Sequence, residues 1–150
     1  MAAGTRQGLS LSSAIERPAG LLGMHHVALW VRDLDACERF YAGLLGMQVE
    51  WRPDGDNVYL TSGRDNVALH RAPADFAPGA AQHLDHIGFI MDSPAVVDDW
   101  HAFLAGQGVR IVKEPKTHRD GARSFYCLDP DGNTVQMIYH PPIASRLAGM

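Results

Sequence analysis

The chain predicts an α+β fold built from two β-α-β-β-β modules, and three observations predict it. The sequence repeats at an offset of sixty positions without a gap, matching His26 to His86, Phe40 to Trp100, Ala42 to Ala102, Leu44 to Leu104, Gly46 to Gly106 and Val49 to Val109. Each copy opens on a strand-like run, His26-Val27-Ala28-Leu29-Trp30-Val31 or His86-Ile87-Gly88-Phe89-Ile90-Met91, followed by apolar residues at helical spacing. Each helix is followed by short apolar runs separated by Gly, Pro, Asn and Asp, the residues that reverse a chain. Two copies at so long a period are too few for a solenoid, so the modules should pair and bury one core.

Taken in order, residues 1–22 are rich in Gly, Ala, Ser and Arg without a continuous apolar centre, and read as a flexible extension. From Met24 to Val31 the alternation is strict. Val27, Leu29 and Val31 share one face and His26, Ala28 and Trp30 the other, so His26 points away from the aliphatic side. Asp33 can cap the following helix, whose apolar positions Cys37, Phe40, Tyr41, Leu44 and Leu45 recur before Gly46 ends it. Strands then run from Met47 to Trp51, Asn57 to Ser62 and Val67 to Arg71, divided by turns at Pro53-Asp54-Gly55 and Gly63-Arg64-Asp65.

Module one spans 23–71, a linker spans 72–82, and module two spans 83–140, the whole forming one domain over 23–140 with a tail at 141–150. In module two a strand from Leu84 to Met91 leads to Ser93 as N-cap with Pro94 at the first helical position. Val96, Val97, Trp100, Phe103 and Leu104 supply that helix's buried face, and Gly106 and Gly108 close it. Strands follow at Val109 to Lys113, Ser124 to Leu128 and Thr134 to Tyr139, with a loop through Pro115 to Gly121 and the turn Asp129-Pro130-Asp131-Gly132-Asn133. Pro141-Pro142 stops the last strand.

Composition bounds the function. With 46% hydrophobic and 20% charged residues over 150 positions, the chain can bury one ordinary core. A net charge of -4 without Lys/Arg runs offers no footprint for nucleic acid or an anionic membrane. No apolar run approaches the ~20 residues of a membrane span. Cys37 and Cys127 stand alone, with no CxxC, which fits two buried thiols in a reduced, cytoplasmic protein.

The first-strand His, the helix bearing Phe40-Tyr41 and ending Leu44-Leu45-Gly46-Met47, and Phe125-Tyr126 followed by Asp129-Pro130-Asp131-Gly132-Asn133 together resemble the vicinal oxygen chelate superfamily. That superfamily includes glyoxalase I, fosfomycin-resistance proteins, bleomycin-binding proteins, methylmalonyl-CoA epimerase and extradiol dioxygenases. The resemblance covers residues 24–140. It implies curled mixed sheets forming a cup with helices outside, and a divalent metal held by first-strand and last-strand side chains. Carried over by position, the ligands are His26, His86 and Gln136, and the fourth position is Ala68. Two departures stand out, because metal-binding members usually have Glu where Gln136 stands and four-ligand members have a donor where Ala68 stands.

Two neutral imidazoles and a carboxylate suit Fe, Mn, Ni, Co or Zn as divalent ions, and here Gln136 stands in place of the carboxylate. A Gln carbonyl brings no charge, so affinity should be lower and the bound ion more electrophilic. His70, two positions beyond Ala68 on the same face, is the candidate for a further ligand or for the catalytic acid/base; His140 is a lesser one at the end of the final strand. Strand phase nominates Trp30, Asn57, Tyr59, Phe125 and Cys127 as substrate-binding cup residues, against the plainer reading that they fill the core. His25, His83, His101 and His118 read as ordinary surface or structural residues.

The expected function is that of a metal-dependent enzyme, glyoxalase-like or dioxygenase-like, acting on a small oxygenated metabolite by chelation and enolate stabilisation or by ring cleavage. The alternative is a metal-free protein that sequesters a small molecule, as bleomycin-binding relatives do; Ala68 and Gln136 favour it and the histidine pair opposes it. The resemblance implies a homodimer, with the cup closed within one chain or between two.

Overall fold

The computed structural model describes residues 24–79 and 84–148; the expected extension over 1–22 and His83 lie outside these residues. Eight strands and three helices run in the order β1 (His26–Val31), α1 (Leu34–Glu38), β2 (Gln48–Asp54), β3 (Asn57–Thr61), β4 (Asn66–Arg71), β5 (Ile87–Ile90), α2 (Pro94–Gly106), β6 (Ile111–Thr117), β7 (Arg123–Leu128), β8 (Thr134–Tyr139) and α3 (Pro141–Ala148). They form two mixed four-stranded sheets of identical plan, β1-β4-β3-β2 and β5-β8-β7-β6. In each, the first strand lies parallel to the last and the remaining pairs are antiparallel. The two β-α-β-β-β modules expected from the sixty-residue repeat are thus the two sheets.

Local chemistry accounts for the boundaries. The Asp33 carboxylate accepts from Ala36 N at 2.9 Å and opens α1. Beyond Glu38 the helix widens into π-helical winding over Arg39–Leu44, where Phe40 and Tyr41 are consecutive, buried and edge-to-face at 5.0 Å. Gly46, at φ +78°, ends it in the left-handed conformation. The Ser93 hydroxyl caps α2 by accepting from Val96 N, with Pro94 following as expected. The tail is where expectation and structure part. Pro141-Pro142 ends β8 but also begins α3, since a proline in the first turn lacks only an N–H that the helix cannot use.

One buried cluster draws on both modules: Leu29, Val31, Phe40, Tyr41, Val58, Leu60, Val67 and Leu69 from the first, Val97, Leu104, Phe125, Cys127, Val135 and Met137 from the second. Each fully buried aliphatic or aromatic side chain contributes roughly 1.5–3 kcal/mol by leaving water. The cluster occupies the helix-covered faces of the sheets. The opposite faces carry His26, Ala28, Trp30, Ala68 and His70 in module one and Gly88, Tyr126 and Gln136 in module two. Trp30 is 51% exposed there, and Trp51 on β2 58%.

Two contacts tie the modules on the helix side. The Tyr41 hydroxyl donates to Asp129 Oδ2 at 2.9 Å in a buried setting. Arg32 donates to Asp131 Oδ1 through its backbone N–H at 2.9 Å and its Nε at 3.2 Å. A groove of about 700 Å³ opens beside this junction, lined by Arg32, Arg39, Phe40, Arg110 and the turn from Leu128 to Gly132. No helix among the described residues is long and apolar enough to cross a membrane.

Candidate functional site

Sheet register dictates what the open faces present. In sheet one, His26 pairs with Asn66, Ala28 with Ala68 and Trp30 with His70 across β1 and β4. Across β4 and β3, Ala68 pairs with Tyr59 and His70 with Asn57. Residues paired across strands share a face, so Trp30, Asn57, Tyr59 and His70 stand together on one face of the sheet. The aromatic row continues outward, with Trp51 5.0 Å from Tyr59 and Tyr59 edge-on to His70 at 5.7 Å. Phe76, beyond β4, stacks on Trp30 at 6.1 Å.

Both histidines of this face are held by an asparagine that is itself held by a carboxylate. Asn66 donates its amide nitrogen to Glu50, so its Oδ1 is the acceptor that meets His26 Nδ1 at 2.7 Å. Asn57 donates its amide nitrogen to Asp54 Oδ1 at 2.8 Å and Oδ2 at 3.0 Å, and its Oδ1 meets His70 Nδ1 at 2.5 Å. An amide oxygen accepts only. Facing such an acceptor, a neutral ring carries its proton at Nδ1 and its lone pair at Nε2. Asn57, expected to contact substrate directly, spends its polar atoms on this support.

In sheet two, His86 Nδ1 lies 2.5 Å from Asp85 Oδ2, which orients that ring in the same sense. Its plane stands at 89° to the Tyr126 ring, with centroids 5.3 Å apart. Gln136 is 8% exposed and donates through Nε2 to the Tyr126 hydroxyl at 2.8 Å. Its Oε1 is directed toward Gly88, where an added Cβ would lie 3.5 Å away. Lys113 Nζ sits 4.9 Å from the Tyr126 ring centroid, adding positive charge to the same wall.

Two expected cup residues lie elsewhere. Phe125 and Cys127 are fully buried in the helix-side core, and Tyr126 takes the cup-facing place between them. The reason is register. Leu128 and Thr134 flank the closing turn, so Tyr126, not its neighbours, stands opposite Gln136. Counting outward from Asp131 at the centre of that turn would have found it. Burial, followed by the charge of Asp129, pushes the Cys127 thiol up to about 11. Burial again leads at Cys37, raised to about 12, with Asp129 and Asp131 adding to it. Both thiols stay protonated at neutral pH, the form that is a poor nucleophile.

His101, His118 and His140 fall outside the cluster. His101, expected at the surface, packs edge-on against Phe125 at 5.3 Å, with a buried Nε2 that lies 2.7 Å from Glu114 but off-axis for a hydrogen bond. His118 Nε2 meets the Ser124 hydroxyl at 3.1 Å, and His140 lies 3.8 Å from Asp120. Among the described residues no three His, Cys, Asp or Glu side chains converge as a metal-binding group. The donor set expected from the sequence is instead two histidines and an amide, divided between the open faces of two sheets.

Comparison with known proteins agrees with the plan of the fold. The chain is 32% identical to an uncharacterised protein of Pseudomonas aeruginosa over 126 residues, covering 79% of this chain and 89% of that one. It is also 32% identical to the glutathione transferase FosA of Serratia marcescens over 132 residues, covering 85% and 87%. The crystal structure of lactoylglutathione lyase from Agrobacterium tumefaciens superposes with a TM-score of 0.67 at 25% identity, over 81% of this chain and 96% of that one. The model of the Glyoxalase/Bleomycin resistance protein/Dioxygenase superfamily matches residues 23–137. With paired β-α-β-β-β sheets and a match over most of its length, the chain belongs to the glyoxalase/bleomycin resistance protein/dioxygenase superfamily.

Proposed function

We propose that the chain is a metal-dependent enzyme acting on a small oxygenated metabolite, with His26, His86 and Gln136 holding a divalent transition metal and His70 serving as acid/base. One observation carries the reading: His26 and His86 each have Nδ1 committed to an oxygen acceptor, the Asn66 amide backed by Glu50 for His26 and the Asp85 carboxylate for His86, which leaves Nε2 to face a metal. Metal-ligating histidines are oriented in this manner, because the second-ring hydrogen bond sets tautomer and raises basicity. Gln136 fits the same role, since its Nε2 is occupied by Tyr126 and its carbonyl oxygen remains available. These groups would hold a divalent ion, which when bound would supply electrophilic stabilisation of charge developing on substrate oxygens.

The chain's own groups divide the remaining work. Trp30, Trp51 and Tyr59 offer a flat apolar wall that packs against substrate and excludes water. The Tyr126 hydroxyl, which accepts from Gln136, has its own proton free to donate to a substrate oxygen. His70 Nε2 takes or returns a proton. The names of two relatives, glutathione transferase and lactoylglutathione lyase, put glutathione and its adducts first among compounds to test.

A homodimer completes the cup in this reading. Trp30 and Trp51 are more than half exposed in the single chain, and a second copy laid over that face would cover them. Light scattering should give twice the chain mass, and a monomer at all concentrations would remove the shared cup.

Metal analysis tests the whole proposal. After reconstitution with Fe, Mn, Ni, Co and Zn separately, at least one should remain near one equivalent per chain and be lost in His26→Ala and His86→Ala. Less than about a tenth of an equivalent with every metal, unchanged by either substitution, overturns it. The second reading, a metal-free binding protein, is favoured by Ala68, a donor-free side chain at the fourth position. That reading gains if ligand binding persists undiminished in the two alanine variants.

A further inference from the structure

We propose that Asp54 and Asn57 are positioning residues, holding His70 in the single tautomer whose Nε2 lone pair faces the cup, so that Asp54, Asn57 and His70 act as one proton-handling string. The inference rests on the reading of His70 as the acid/base of the site, and it concerns residues to which that reading assigns nothing.

The string is built by the sharp reversal between β2 and β3. Asp54 ends one strand and Asn57 begins the next, and the two are cross-strand partners. The Asp54 carboxylate accepts from Asp56 N at 2.8 Å and from Asn57 Nδ2 through both oxygens. The Asp56 N–H bond first, then the Asn57 amide, hold this carboxyl below its ordinary range, so it stays ionised and acts only as an acceptor. Asn57 therefore cannot turn its amide round without setting oxygen against carboxylate. Its Oδ1 is directed across to β4, where register puts His70 opposite it at 2.5 Å. An imidazole facing a fixed acceptor at Nδ1 must carry its proton there.

Position along the strand separates this role from ligation. His70 stands two residues beyond Ala68, about 6.6 Å at the rise of a β-strand. It lies beside the ligand positions of the first sheet and not within them. When Nε2 takes a proton from a substrate C–H or O–H, the electron pair of that bond stays on the substrate and the ring becomes imidazolium. Asn57 Oδ1 and, behind it, the Asp54 carboxylate face the new charge. The proton returns to substrate at the end of the cycle, and Asp54 never changes protonation state. The parallel string His26–Asn66–Glu50 shows that the sheet builds this arrangement twice on one face.

The test reads the tautomer directly, in the full chain and without metal. Long-range proton–nitrogen correlation spectra at pH 8, assigned with His70→Gln, should give His70 a protonated Nδ1 and an unprotonated Nε2. Asn57→Ala and Asp54→Asn should each shift the ring toward the Nε2-protonated form, with far-UV dichroism unchanged. A wild-type ring protonated at Nε2 overturns the proposal, and this measurement needs no variant to fold. A Nδ1-protonated ring that neither substitution alters overturns it equally. A Nδ1-protonated ring released by both substitutions, in a chain that binds no metal, upholds the string while removing the metal reading, so the two failures are distinguishable.

Discussion

The Tyr41 hydroxyl, on the helix of module one, donates at 2.9 Å to the Asp129 carboxylate, in the closing turn of module two, and both residues are buried. Asp129 also accepts from Asp131 N, Asn133 N and Asn133 Nδ2, so its charge is distributed over four donors. A turn whose composition reads as nothing more than a chain reversal is therefore also the junction between modules. Burial, and then the Asp129 charge, push the Tyr41 hydroxyl well above its ordinary range, keeping it a donor.

Removing that donor should be costly. Tyr41→Phe leaves a buried carboxylate short of one hydrogen bond, and about 1–3 kcal/mol of stability should be lost in urea denaturation. Arg32→Ala, which breaks an ion pair whose arginine is largely exposed, should cost less than about 1 kcal/mol. Equal effects would mean that Asp129 is not the anchor of the junction.

Restoring a carboxylate at the last-strand position should strengthen metal binding. Gln136→Glu places a negative charge among the proposed donors while Tyr126 can reverse its hydroxyl to donate. Affinity for Ni or Mn by calorimetry should rise at least about tenfold, equivalent to about 1.4 kcal/mol. No change would separate Gln136 from the donor set.

Gly88 makes room for the Gln136 carbonyl. An added Cβ would lie 3.5 Å from Oε1, an ordinary contact, so Gly88→Ala should leave fold and metal content intact. Gly88→Val should displace the amide and lower metal retention. A valine variant with full retention would remove the carbonyl from the site.

The buried thiols make stability fall in alkali. Cys127 and Cys37 titrate at about 11 and about 12 when folded, against 9.0 for a free thiol, so the folded chain holds protons that the unfolded chain gives up. Their contribution is full below about 9, declines above it and is lost by about 12. Denaturation midpoints should fall between pH 9 and 11, and the fall should shrink in Cys37→Ser/Cys127→Ser. Iodoacetamide at pH 8 should label neither thiol until the chain unfolds.

Much of this was legible residue by residue. Alternation within each strand gave the outward direction of His26 and Trp30 and a common phase for Asn57 and Tyr59, while the pairing of β3 with β4 that sets Asn57 opposite His70 came only from the structure. Phe125 and Cys127 lie in the core and not in the cup because alternation along β7 does not fix which of its two faces is outward, and a one-residue shift in phase moves every side chain to the other face. Asn66, Glu50, Asp54 and Asp85 carry no sequence mark as partners of histidine, since each is an ordinary polar residue of a turn or strand.

The sequence by itself determined the repeat, the strand periods, the helix N-caps and a histidine at the head of each module, His26 opening β1 and His86 just before β5, because these depend on contacts within a few residues of one another. Only the tertiary structure decided that Asn66 and Asn57 support histidines on neighbouring strands, that Tyr126 faces Gln136, and that Tyr41 meets Asp129 across 88 positions of chain. Those pairings are set by strand register and by the packing of one module on the other, and neither is encoded in any short stretch of residues.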